Sequence, residues 1–229
     1  MASRTDAGVS ARGNALRIAS ELPGPALLRA LNGLSPDIVF SGAHRVANNF
    51  VPRHALYRRY RYFEPIAPHD VLLWRSLLPR IARPIDARSF GRGVPQGAPV
   101  WREISRAEIA EEGPWMVVEL TAPSFVWGMV RKIIAAFRAV EAGDLALREL
   151  DAAVAGERRL SLPLAEPEPL VLWEVGYPFT FEIPNPRPSL RQQRYWNREI
   201  REASLRAVLL ERLAPTEGPA EVAPLGQRG

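Results

Sequence analysis

An aspartate with an arginine on each side stands near the start of the chain, in the stretch MASRTDAGVSARG. Asp6 precedes Ala7-Gly8, two small residues typical of a turn, and Arg4 lies two positions before it. An aspartate in such a place most often caps the turn itself. It can also act as a nucleophile or a general base where the fold holds it against a substrate. The local motif alone leaves both roles open.

Arginines alternate with tyrosines in a second stretch, RHALYRRYRYFEP, at 53–65. Side chains of a strand alternate between its faces, which groups Leu56, Arg58, Tyr60 and Tyr62 on one face and Tyr57, Arg59, Arg61 and Phe63 on the other. Guanidinium groups bind phosphates and aromatic rings stack on unpaired bases, so the pattern suits RNA. It equally suits an edge strand with cation–π pairs and solvated arginines. The two interpretations stay open.

A third candidate, Arg131, lies in the strongest predicted helix, at 124–144. Helical spacing places it on the same side as Trp127, Ile134 and Ala135, which is unusual company for a solvated cation. A partly buried guanidinium needs an acidic partner. That partner is either a structural carboxylate or Asp6.

Composition excludes several classes of chemistry. The 229 residues include no cysteine, which removes thiolate catalysis, disulfides and cysteine-bound metals. The three histidines, His44, His54 and His69, lack metal-ligand spacing, so we expect no metal site. No apolar run approaches the roughly 18 residues of a membrane span, and the N-terminus lacks a signal-peptide pattern. We therefore expect a soluble, cytoplasmic protein with no membrane partner.

Charge points toward a phosphate-rich partner. Thirty basic residues against 25 acidic ones give a net charge of +5, and only one of the cations is a lysine, Lys132. Arginine matches phosphate oxygens with two parallel donors and stacks on bases. A genome that prefers arginine codons explains the same composition, so composition by itself does not decide.

The elements that must position these residues mix strands and helices without regular alternation. We predict strands at 11–20, 53–65, 115–122 and 169–178 and helices at 24–34, 124–144 (capped by Ser124), 145–156 and 198–213. Residues 37–50 are predicted to be extended, and 66–114 to be loops and insertions with two weak helical patches. The irregular order favours an α+β fold over a doubly wound parallel sheet.

Several ordered motifs resemble the tRNA pseudouridine synthase A family. The stretch Ser3–Ala11, SRTDAGVSA, resembles the family's catalytic signature G-R-T-D-A-G-V-H-A. Further similar stretches follow in the family's order: Ala30-Leu31-Asn32 with Pro36, Phe50–Tyr62, Phe125–Ile134 and Pro169–Pro178. The resemblance covers roughly residues 3–178.

The resemblance implies a role for each candidate residue. Asp6 matches the catalytic aspartate and Arg4 the arginine that assists base flipping. Tyr60 matches the tyrosine that stacks on the target uracil, and Arg131 the basic residue that pairs with the aspartate. Arg58, on the same strand as Tyr60, is also predicted to bind substrate.

The resemblance also implies a fold and an activity. The expected fold is a mixed, largely antiparallel sheet flanked by helices, with a central RNA-binding cleft. The expected enzyme is an isomerase that converts uridine to pseudouridine in tRNA, in the anticodon stem-loop, by flipping the base. It implies a homodimer that needs neither metal nor cofactor. The sequence does not decide whether Asp6 acts as nucleophile or base.

The chain departs from the family pattern at three places. Ser10 replaces the usual histidine and Ser3 the usual glycine. In the family a strand and a helix precede the catalytic loop, and no such segment precedes Arg4. We expect a start codon assigned too far downstream; a fragment and a shortened paralogue are the alternatives.

The expected domains are a remnant of the N-terminal catalytic subdomain (1–50), a C-terminal subdomain that completes the cleft (51–180), a helical extension (181–213) and a disordered tail (214–229). Two rival readings remain. One is a pseudouridine synthase fold that binds tRNA without turnover; the other is a non-catalytic, arginine-rich RNA-binding or ribosome-associated protein. The enzyme predicts that Asp6, Tyr60 and Arg131 meet in one cleft, with the carboxylate in hydrogen-bond range of the guanidinium.

Overall fold

A computed structural model describes residues 1–95, 97–181 and 188–213. The tail predicted for 214–229 lies outside these ranges. In chain order the elements are β1 (Ser10–Ala11), α1 (Gly24–Leu34), β2 (Tyr57–Pro65), α2 (Val71–Ile81), β3 (Pro84–Asp86), α3 (Ala87–Phe90), β4 (Trp101–Glu103), β5 (Arg106–Glu112), β6 (Trp115–Ala122), α4 (Met129–Glu141), α5 (Leu147–Val154), β7 (Leu170–Gly176) and α6 (Leu190–Leu213).

The chain divides into two compact units. The first combines Met1–Ile18 with Ala47–Phe179, and the second combines Ala19–Val46 with Thr180–Gly229. All the candidate site residues belong to the first unit.

A five-stranded sheet forms the centre of the first unit, in the order β1-β7-β2-β6-β5. The pairing of β1 with β7 is parallel, and the other pairings are antiparallel. A separate two-stranded sheet joins β3 to β4. The mixture of helices with a mostly antiparallel sheet confirms the predicted α+β class.

Strand β2 lies in the middle of the sheet and alternates strictly between its faces, with every second residue from Arg58 to Glu64 buried. Tyr60 pairs with Leu120 of β6, and Tyr62 pairs with Val118, so four apolar side chains share the inner face. Helices α2 and α4 contribute to the same core, where Trp74 meets Phe137 edge-on at 5.5 Å between ring centroids. Each large side chain fully buried here contributes about 1.5–3 kcal/mol.

Helix α4 begins at Met129, later than the predicted start at 124. Gly128 takes a left-handed conformation (φ +74°), which a continuous helix does not allow. The predicted cap, Ser124, therefore lies outside the helix, and no side chain caps it. The helix packs on the core through an apolar face, on which Val130, Ile133 and Phe137 are all buried.

Two predictions along the first unit were wrong. The strand expected at 11–20 is only Ser10–Ala11, because the amides of Arg12 and Gly13 both turn to the carbonyl of Leu172 and end the pairing. The region 66–114, expected to hold loops and weak helices, contains strand β5 paired to β6 along its length. Its sequence, RAEIAEE, is charged as edge strands often are, and it carries little apolar alternation.

The second unit contains α1, which has the predicted bounds, and α6, which begins eight residues before the predicted Arg198. Buried amides hold these segments together. Asn32 exchanges hydrogen bonds with the main chain of Phe40, and Gln192 donates to the Asn32 amide oxygen and to the carbonyl of Ile38. Residues 37–50, expected to be extended, contribute no strand.

Candidate active site

Hydrogen bonds to Asn14 and Ala15 hold the segment that carries Asp6. The amide of Ala2 donates to Ala15 at 2.7 Å, and the Asn14 side chain bonds both the amide and the carbonyl of Ser3. The amide of Val9 donates to the carbonyl of Asp6 at 3.1 Å and closes a turn. The turn then leads directly into β1.

Gly8 is required in this turn for two reasons. Its φ of +87° lies in the region that residues with a side chain rarely adopt. A Cβ atom added there would also lie 2.9 Å from Cγ of Pro167. The small residues that follow Asp6 thus let the loop approach the chain just before β7.

The Asp6 carboxylate accepts one hydrogen bond on each oxygen. Arg131 Nη1 lies 2.7 Å from Oδ2, and the indole Nε1 of Trp127 lies 2.6 Å from Oδ1. The Asp6 side chain keeps 24% of its surface exposed, whereas that of Arg131 keeps 12%. The predicted pairing of Asp6 with Arg131 is confirmed, and the carboxylate stays accessible.

Arg131 is itself fixed by the stretch before β7. Its Nε donates to the carbonyl of Ala165 at 2.5 Å, which leaves Nη1 directed at Asp6. A guanidinium held by two acceptors in different directions has little freedom to rotate, so the charge that faces Asp6 is preorganised.

Tyr60 lies on the inner face of β2, close to the Asp6 segment. Its hydroxyl is 3.0 Å from Oγ of Ser3, and its ring meets Phe125 edge-on at 5.1 Å between centroids. Burial raises the pKa of the Tyr60 phenol, and the negative charge of Asp6 adds to this rise. The hydrogen bond with Ser3 and the positive charge of Arg58 oppose the rise without cancelling it. Tyr60 is therefore a neutral aromatic wall beside the carboxylate.

Arg58 and Arg4 differ in what surrounds them. Arg58 is buried and donates to the carbonyls of Ala2, Arg53, Ala55 and Pro123, so its donors join the Asp6 segment to two loops. Arg4 is exposed and has no hydrogen-bond or ion-pair partner among the described residues. The geometry suits Arg58 to a structural role and leaves the Arg4 guanidinium available to a ligand.

The outer face of β2 fits the second, structural interpretation of the arginine–tyrosine pattern in part, because its arginines make contacts within the protein. Arg59 pairs with Glu119 and Glu174, and Arg61 pairs with Glu119 and Glu112. The Arg61 guanidinium also stacks on Trp173 at 4.1 Å from the ring centroid. These arginines are paired with carboxylates and rings, although β2 is a central strand and not an edge.

One cavity of about 1130 Å³ brings the predicted residues together. Arg4, Asp6, Arg58, Tyr60 and Arg131 all line it. Its volume is slightly above the roughly 300–1,000 Å³ typical of small-ligand sites. The expectation that Asp6, Tyr60 and Arg131 share one concave surface is met.

Sequence reasoning did not identify the second partner of Asp6, Trp127. The available signal was its i, i+4 spacing to Arg131 and an indole N–H that needs an acceptor. Arg92, which stacks on Trp127 at 4.5 Å from the ring centroid, was also missed.

Comparisons with known proteins agree with this geometry. The profile of the family described as tRNA pseudouridine synthase matches residues 85–178. The tRNA pseudouridine synthase A of Thermococcus kodakarensis is 35% identical over 179 residues, covering 77% of this chain and 67% of that protein. Those of Thermococcus sibiricus (37% identical, 77% and 66% covered) and Pyrococcus furiosus (34%, 80% and 70%) are similar.

The chain spans about two thirds of the length of these relatives. Among the described residues, no helix has the length and apolarity that crossing a bilayer requires. Identity above 30% across most of the chain is accompanied by a family profile that matches residues 85–178. The chain belongs to the tRNA pseudouridine synthase A family, whose members are isomerases.

Proposed function

We propose that this protein isomerises uridine to pseudouridine in tRNA, with Asp6 as its catalytic residue. The observation that carries the proposal is an accessible carboxylate on the wall of a cavity, held by Arg131 on one oxygen and Trp127 on the other. Family membership supports the reaction. The position of Asp6 within the SRTDAG motif supports its role.

The reaction breaks the N1–C1′ bond of uridine, rotates the detached uracil and joins it to the ribose through C5. A carboxylate can attack C1′ to form a covalent intermediate, or it can remove a proton from the sugar. The ion pair with Arg131 holds the carboxylate in place for either route. The geometry serves either route equally.

The uridine must leave its stack before Asp6 can reach it, which costs a few kcal/mol. A buried aromatic ring beside the carboxylate can recover part of this, because stacking a base on an aromatic side chain is worth about 1–3 kcal/mol. Tyr60 presents such a ring to the cavity. Arg4, unpaired among the described residues and at the rim, is placed to bind the displaced nucleotide's phosphate.

Other parts of the proposal rest on the resemblance. The substrate uridines are placed in the anticodon stem-loop, the working form is a homodimer in the cytoplasm, and no cofactor takes part. The net charge of +5 supports tRNA as partner, because a basic protein gains salt-dependent affinity for the phosphate backbone. Sedimentation velocity of the purified protein tests the dimer.

The direct test is tritium release from tRNA transcripts labelled with [5-³H]uridine. We expect release from a full transcript and none from a matched transcript in which cytidine replaces every anticodon stem-loop uridine. Release from both transcripts would contradict the anticodon location alone. No release from either transcript, with tRNA still bound, would contradict the proposed enzyme and indicate a non-catalytic RNA-binding protein.

A further inference from the structure

The Asp6 carboxylate is fixed by donors from two different segments. Arg131 in α4 bonds Oδ2 at 2.7 Å, and Trp127 in the loop before α4 bonds Oδ1 at 2.6 Å. Rotation about the last torsion of an aspartate is soft when nothing holds the oxygens. With one donor on each oxygen, the plane of the carboxylate is set. Arg131 alone would leave that plane free to turn about a single bond.

Trp127 is unusually well held for an exposed residue. Its side chain is 54% exposed, yet the Arg92 guanidinium lies 4.5 Å from its ring centroid. The amide of Arg92 also donates to the Trp127 carbonyl at 2.7 Å, which ties the two loops together. The left-handed Gly128 then turns the chain into α4. The indole N–H is thereby directed inward while the ring remains at the rim of the cavity.

A merely structural tryptophan would not have this arrangement. An exposed indole gains little from burial, and here its one polar atom bonds the residue that the proposed reaction uses. Trp173 provides the contrast. It is stacked by Arg12 and Arg61 at 4.5 and 4.1 Å, but it makes no hydrogen bond to Asp6. Arginine stacking is common to both residues, whereas contact with the carboxylate belongs to Trp127.

We propose that Trp127 is a positioning residue for Asp6, with its indole N–H fixing the plane of the carboxylate that faces the bound uridine. Arg92 holds Trp127 in place by stacking on its indole ring. The proposal rests on the proposed function for its effect on rate, although the contact itself can be tested without turnover. A carboxylate free to rotate spends less time in the productive geometry, so the chemical step slows while tRNA binding is kept.

The kinetic test is Trp127→Phe, which keeps an aromatic ring for Arg92 to stack on but removes the indole N–H. We expect the single-turnover rate of tritium release to fall about tenfold, the loss typical of a hydrogen bond to a charged group. The tRNA dissociation constant stays within about twofold. The matched control, Trp173→Phe, leaves both quantities unchanged. An unchanged rate in Trp127→Phe, with active wild type, overturns the proposal.

A second measurement is independent of activity. Trp127→Phe identifies the Trp127 indole signal in a ¹H–¹⁵N correlation spectrum of the full chain. Asp6→Ala should move that indole proton upfield, because its charged acceptor is gone, and leave the Trp173 indole in place. An unmoved Trp127 signal overturns the proposal even if the wild type proves inactive. Trp127→Tyr provides the assignment if Trp127→Phe fails to fold. Wild-type inactivity by itself counts against the proposed function only.

Discussion

Helix α4 carries two arginines seven residues apart, and each holds a carboxylate at the same distance. Arg131 Nη1 lies 2.7 Å from Asp6, and Arg138 Nε lies 2.7 Å from Glu64. Seven residues are close to two helical turns, so both side chains leave the same side of the helix. Only their surroundings distinguish them.

The carboxylate of the Arg138–Glu64 pair is shielded from solvent. The Glu64 side chain is 3% exposed, with His69 3.7 Å away on its other oxygen. Arg138 also binds Glu166 at 2.6 Å, and that contact is the largest cause of the lowered pKa of Glu166. Burial acts to lower the pKa of Arg138, but hydrogen bonds to these two glutamates outweigh burial and raise that pKa.

The contrast shows that a short arginine–carboxylate distance does not by itself mark an active site. Glu64 is surrounded by partners and core, whereas Asp6 faces a cavity. A pair whose carboxylate is buried and fully partnered fixes structure at a considerable desolvation cost. An accessible pair keeps a charge where a substrate can reach it. The comparison can be tested by disrupting each pair in turn.

The largest expected effect is that of Asp6→Asn on turnover. The amide keeps the size of the side chain and one of its two acceptor oxygens but removes the charge and the nucleophile. We expect tritium release to fall by at least about a thousandfold. The dissociation constant for tRNA should change by less than about threefold. An equal loss of binding would show that Asp6 is structural, as Glu64 is.

The opposite pattern is expected for Arg138→Met. Glu64 would then be buried without its guanidinium, so the free energy of unfolding should fall by about 3 kcal/mol. Urea unfolding followed by circular dichroism measures this. Turnover per folded molecule should match the wild type. A selective loss of turnover with unchanged stability would erase the distinction between the two pairs.

A smaller effect separates the ring of Tyr60 from its hydroxyl. Tyr60→Phe loses only the contact with Ser3, and we expect turnover within about twofold of the wild type. Tyr60→Leu loses the aromatic face, and turnover should fall about tenfold, in keeping with the value of base–aromatic stacking. Both rates are measured as tritium release at a temperature where circular dichroism shows both variants folded. Equal rates in the two variants would remove Tyr60 from substrate binding.

The smallest effect is a loss of stability in acid. Burial acts to raise the pKa of Glu141, but hydrogen bonds from the Asp70 amide and from His69 outweigh burial and lower that pKa below its usual 4.5. The pKa of Glu166 is lowered as well. Both carboxylates therefore add stability above about pH 4.5, and that stability is lost as pH falls through the folded values. Urea unfolding from pH 7 to 3 should show this decline, and Glu141→Gln should make it shallower; an unaltered slope would contradict it.

Local signals predicted much of the fold. Strand β6 is rich in β-branched residues, and α1 begins after a proline and follows a leucine pattern, so the predicted bounds of both are confirmed. Strand β5 was missed because a charged edge strand pairs through its backbone, which leaves little trace in side-chain order. The start of α4 was misjudged because a left-handed Gly128 is a property of the folded chain.

The site was predictable where chemistry demanded a partner. A partly buried Arg131 requires a carboxylate, and the motif around Asp6 offered one. Trp127 was not predictable in the same way, since an indole N–H makes a bond whose direction depends on how two loops meet. For Arg58, the sequence shows a cation but not the four carbonyls that surround it.

One short stretch, residues 165–168, contacts both the turn that carries Asp6 and the side chain of Arg131. The carbonyl of Ala165 receives Arg131, and Pro167 lies against Gly8 in the Asp6 turn. Glu166, between them, is tied to Arg138 and to the Tyr62 hydroxyl. Because this one stretch contacts both members of the pair, a substitution that displaced it would disturb both charges at once.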